Sequence, residues 1–89
     1  MEDEKLMIDN FFEYLLKGQL DNKDPFDFSI ELEEYLVENY EAMYLENPYL
    51  TNLANEEIPD ITETMEPGMD AINFYRQLDV VYQKLRVLR

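Results

Sequence analysis

Apolar residues in this chain recur at intervals of three and four, and nowhere does strict alternation last long enough to make a strand. That period admits helices and little else. Near the start, Ile8, Phe11, Phe12, Leu15 and Leu16 form one stripe, widened by Leu6, Met7 and Tyr14. It predicts a first helix over residues 3–17, with Glu2, Asp3 and Glu4 at the positive end of its macrodipole and Lys17-Gly18 as its stop. Residues 19–27 read as a linker, although Asp24-Pro25 has the form of a cap followed by proline at the first helical position. Phe26 and Phe28 read as core side chains.

A second helix is expected over residues 29–45, with Ser29, the one serine, as its cap. Leu32, Leu36, Tyr40 and Met43 share a face, with Tyr35, Val37 and Tyr44 beside it. Asn47-Pro48 ends this helix, and the same pair can start the next as cap and first residue. In residues 49–66, Tyr49, Leu50, Leu53 and Ala54 predict a short helix. Ile58-Pro59 interrupts or restarts it, and residues 60–65 add a turn or two. Glu66-Pro67-Gly68 is a turn signal.

The last helix begins after Asp70, a capping residue. Ala71, Phe74, Leu78, Val81, Leu85 and Leu88 then follow spacings of 3, 4, 3, 4 and 3, flanked by Tyr75 and Tyr82. One short helix with such a seam belongs inside a bundle rather than in a coiled coil. With 89 residues the chain makes a single domain, 1–89. The fold class expected is all-α, a compact bundle of about four helices with a short third helix.

Charge narrows the functional classes. Asp and Glu number 21 against 7 Lys and Arg, a formal net charge of −14. Such a field repels nucleic acid and anionic membranes and attracts basic proteins. No run of about 18 apolar residues exists to span a membrane, and the acidic opening Met1-Glu2-Asp3-Glu4-Lys5 lacks the form of a secretory signal. The expectation is a soluble, cytoplasmic chain.

The charges are also ordered. No basic residue occurs between Lys23 and Arg76, an interval that contains fourteen acids. Asp27, Glu31, Glu34, Glu38 and Glu41 are spaced 4, 3, 4 and 3, which places them on one helical face. Like charges at these spacings cost roughly 0.2–0.5 kcal/mol per pair, and no lysine is interleaved to relieve them. A sequence tuned for stability alone would supply one. The row reads either as a solvated face that keeps an acidic protein soluble or as a surface that meets a basic partner, and the absence of any base over 52 residues favours the second. Glu56, Glu57, Asp60, Glu63 and Glu66 either extend it or make a second face. Tyr35, Tyr40, Tyr44 and Tyr49 lie among the acids, where a tyrosine can bury its ring and leave its hydroxyl at an interface rim.

Catalytic chemistry finds few parts. There is no His or Cys and one Ser, which removes the usual nucleophile–base pairs. Both glycines are isolated, so no phosphate-cradling loop exists. Paired carboxylates are too abundant for any one pair to be informative. Read as a calcium loop from Asp21, the third, sixth and twelfth positions are Lys23, Phe26 and Leu32, and the pattern fails. No enzyme activity, cofactor or specific metal is expected.

Two stretches carry a resemblance. The apolar helix Phe11-Phe12-Glu13-Tyr14-Leu15-Leu16-Lys17-Gly18 in a short acidic chain resembles the small immunity proteins that protect bacteria from their own nuclease toxins. The colicin D immunity type and relatives found beside contact-dependent and polymorphic toxins are the nearest in character. Glu57-Ile58-Pro59-Asp60-Ile61, and Glu66-Pro67-Gly68-Met69-Asp70 before an amphipathic helix, look similar to chains of that kind. The resemblance implies a helical bundle that binds a basic RNase or tRNase domain and occludes its cleft. It assigns no individual residue. From the charge pattern, the expected partner contacts are Glu31, Glu34, Glu38 and Glu41, with Tyr40, Tyr44, Glu56, Glu57 and Asp60 as further contacts. The same acidic row would serve a phage-encoded nucleic-acid mimic acting on a host DNA-binding protein. A non-enzymatic helical adaptor pairing through the last helix is a third expectation.

Overall fold

A computed structural model describes residues 7–89, which form four helices and, among the described residues, no strand. The expectations for Glu2, Asp3, Glu4 and Leu6 fall outside that range. The helices are α1 (Met7–Leu20), α2 (Pro25–Glu46), α3 (Pro48–Thr62) and α4 (Ala71–Leu88). The all-α bundle of about four helices is what the apolar spacing predicted. α2 packs most extensively on α3 and α3 on α4, while α1 lies against α2 and touches α4.

The first helix presents Ile8, Phe11, Phe12 and Leu15 to the core, with Leu16 left exposed. Its first described amides are satisfied from a distance: the Glu46 carboxylate accepts from the Met7 N–H at 2.6 Å and from the Ile8 N–H at 3.0 Å. The stop expected at Gly18 lies further on. Asn22 adopts φ 56°, Lys23 N–H donates to the Gly18 carbonyl (3.2 Å) and Asn22 N–H to that of Gln19 (3.1 Å). That pair of bonds is the Schellman closure, with asparagine in the left-handed position. Gly18 is instead a buried contact residue. A Cβ placed on it would lie 2.3 Å from Cζ of Phe28.

Asp24 caps and Pro25 opens α2, which puts the cap five residues before the expected Ser29. The Asp24 carboxylate accepts from the Asp27 N–H at 3.2 Å, and Pro25 fills the first position, where its missing N–H costs nothing. Ser29 is buried one turn into the helix and its Oγ donates to the Phe26 carbonyl at 2.7 Å. Asn47 joins α2 to α3 as both C-cap and N-cap, as its position before Pro48 suggested. Its side-chain oxygen accepts from the Leu50 N–H (3.1 Å), and its amide donates to the Leu88 carbonyl (2.9 Å).

α3 runs unbroken through Pro59, where the sequence predicted an interruption. Proline forfeits one amide donor, yet Ala54, Ile58 and Ile61 are all buried on the same face. Keeping that face in register outweighs the lost bond. The turn after it is as expected: Met69 N–H donates to the Glu66 carbonyl (3.2 Å), with Pro67 second and Gly68 third at φ 87°. Asp70 then caps α4 by accepting from the Ile72 N–H at 3.0 Å.

The seam of α4 faces inward. Phe74, Leu78, Val81 and Leu85 are buried, whereas Leu88, expected in the same seam, is exposed at the end of the helix. Phe28 has no exposed surface and lies at the centre of an aromatic group, its centroid 5.5 Å from Tyr14, 6.1 Å from Tyr75 and 6.4 Å from Phe74. The Tyr75 hydroxyl donates to the Lys23 carbonyl at 2.9 Å, with the Gly18 carbonyl at 3.3 Å. The fourth helix thus holds the turn that ends the first.

Candidate protein interface

The apolar face of α2, built on Phe28, Leu32, Leu36 and Met43, is wholly inside the bundle. What the helix shows to water is therefore fixed by its period. Asp27, Glu31, Glu34, Glu38 and Glu41 are all exposed, and they follow one another along the outward side. Among the described residues only Glu31 of the row meets a cation, Lys23 Nζ at 2.7 Å. Glu34, Glu38 and Glu41 form no salt bridge among the described residues. The chain's other described ion pairs are elsewhere: Lys84 with Glu57 at 2.9 Å, and Arg89 with Asp9. The row is thus not scattered, and among the described residues only its Glu31 is paired from within. Four successive like-charge pairs cost α2 roughly 1–2 kcal/mol.

The inner edge of the row is aromatic. Tyr14 stacks on Tyr35 with centroids 4.4 Å apart, and Tyr35 on Phe11 at 5.9 Å. Burial, reinforced by the charge of Glu31 beside it, pushes the Tyr14 phenol up to about 12. Burial also raises Tyr35. Both hydroxyls therefore stay protonated in neutral solution.

The remaining expected contacts do not all join this face. Tyr44 does, 41% exposed, on the outward side of α2. Tyr40 is half-buried, and its hydroxyl donates to Asn52 Oδ1 at 3.2 Å, which ties α2 to α3. Its ring lies 5.7 Å from that of Tyr44. Glu56 is exposed on α3. Glu57 and Asp60 border a groove between α3 and α4 with Gln77, Val80 and Val81, and Glu57 is engaged by Lys84. The acids of residues 56–60 thus belong to a second face. Glu33, adjacent to the row, accepts from the Thr62 hydroxyl at 2.6 Å and serves the α2–α3 contact.

Sequence reasoning passed over one component. Ile30, Val37 and Leu45 stand among the carboxylates, and Val37 and Leu45 are 79% and 84% exposed. Val37, expected beside the buried stripe, points to water instead. Ile30, Val37 and Tyr44 are seven residues apart, a signal readable only once the buried direction of α2 is known. Glu33, Glu34, Val37 and Glu38 line a shallow open groove there.

Among the described residues no group of three or more carboxylates converges as a metal site would, and no helix is long and apolar enough to cross a membrane. The outward face of α2 offers charge and apolar contact in the same place. Comparison with protein-family models, with curated proteins and with solved structures finds no match.

Proposed function

We propose that this chain is an immunity-type inhibitor, with no reaction of its own, that binds a basic nuclease domain through the outward face of α2. One observation supports the reading above the others. Glu34, Glu38 and Glu41 are exposed in sequence along one helix, with no cation paired to them among the described residues, at a cost to that helix. Opposed Lys and Arg side chains, of the kind a nuclease uses to hold phosphates, would turn that cost into attraction. The row would then occupy the positions of substrate phosphates. Long-range attraction would raise the association rate, and contacts at Tyr44 would slow release. A partner of this kind places the chain in the cytoplasm.

The test is inhibition of tRNA cleavage by a basic ribonuclease domain encoded beside the chain. Stoichiometric inhibition is expected, with affinity falling at least tenfold between about 50 and 500 mM salt as screening shortens. Glu34→Lys with Glu38→Lys and Glu41→Lys should abolish it. Inhibition indifferent to salt and to these substitutions would refute the proposal.

A further inference from the structure

Aliphatic side chains scattered singly over a surface need no explanation. Yet Ile30, Val37 and Tyr44 are exposed at intervals of seven along α2, with Glu34 and Glu41 between them. Seven residues is the interval at which one helix meets another lying along it. From Ile30 to Tyr44 the seam is about 21 Å long, at 1.5 Å per residue. An irregular cleft or a strand has no matching period.

We infer that the occupant of this face is an amphipathic helix of the partner, one that lays an apolar stripe along Ile30, Val37 and Tyr44 and flanks it with Lys or Arg. The inference rests on the acidic-surface reading above and specifies what that surface meets. The flanking charge follows from complementarity: Asp27, Glu31, Glu34, Glu38 and Glu41 frame the seam, and an acidic or neutral helix would bury them unpaired. A second copy of this chain is a poorer occupant. Its α4 shows Ile72, Val80 and Val87 outward, but each copy carries a net charge of −14.

Two fluorescein-labelled peptides of about 18 residues separate the terms, both helical and equal in Lys content. One carries Leu at heptad spacing and the other Ala. Anisotropy at about 150 mM salt should show the Leu peptide binding at least tenfold tighter. Val37→Ser should weaken the Leu peptide about fivefold and leave the Ala peptide unchanged, and since Val37 is 79% exposed the variant should fold normally. Equal binding of both peptides would overturn the apolar seam, and with it the amphipathic occupant, while sparing the acidic surface. Binding of neither would overturn both. A dimer seen by light scattering and abolished by Val37→Ser would assign the face to a second copy and overturn the inference.

Discussion

Gly18→Ala separates two forces of opposite sign. Within a helix, alanine is favoured over glycine by about 1 kcal/mol, and Gly18 has no left-handed backbone to protect. Propensity alone therefore predicts a more stable protein. The structure predicts the reverse. The new methyl would stand 2.3, 2.5 and 2.8 Å from three atoms of the Phe28 ring. Ordinary contact requires the ring to retreat by about 1 Å, but Phe28 is fully buried among Tyr14, Phe74 and Tyr75. Overpacking of this sort costs roughly 2–3 kcal/mol, at the upper end of its range because the ring has nowhere to go. The net loss is then about 1–2 kcal/mol. In a domain of this size that lowers Tm by roughly 5–15 °C. Urea and thermal unfolding followed by far-ultraviolet circular dichroism would measure it. The double variant with Phe28→Leu should lose less than the two single losses added, since the smaller side chain yields the space. A Gly18→Ala protein as stable as the parent, or an additive double variant, would refute the close approach.

Glu34→Lys should stabilise the fold by about 0.5–1.5 kcal/mol, because repulsion toward Glu31 and Glu38 becomes attraction; the same variant should bind the partner more weakly, and the two readouts moving together would be contrary. Tyr75→Phe should cost about 1–2 kcal/mol by leaving the Lys23 carbonyl without its buried donor, read as a lower urea midpoint at unchanged m. Alkali should destabilise the protein within a defined window. Burial raises Tyr14 and Tyr75 to about 12 from the usual 10, so the folded chain keeps protons that the unfolded chain releases. Their contribution is full below pH 10 and is lost between about pH 10 and pH 12, a slope that Tyr75→Phe should reduce in unfolding titrations.

Much of this architecture is legible in the residues themselves. α4 needs only Asp70 and its seam, and Asn47-Pro48 announces a helix ending and another starting. The errors have specific causes. Lys17-Gly18 looks like a stop because a glycine at a helix end and a glycine beneath a ring follow the same apolar run. The difference is made by Phe28, ten residues on, and by Asn22 taking the left-handed turn. Ser29 competes with Asp24 as a cap, and Pro25 decides for Asp24 by fixing the first helical residue. Pro59 reads as a break because local rules count a lost bond, whereas Ile58 and Ile61 are held by neighbours remote in sequence. The acidic row needed only its spacing. Its apolar companions were obscured because α2 carries hydrophobic residues on nearly every side, and only packing reveals which of them are left outside.

Asn47 is the whole of the connection between α2 and α3, and its amide also reaches the end of α4. A junction of one residue, pinned on both flanks, leaves no hinge. On the docking proposed above, the carboxylate ridge would then meet its partner at a fixed angle to the rest of the bundle, with little freedom left to surrender. A longer, slacker link at that corner would leave every side chain of the ridge intact and still weaken its grip.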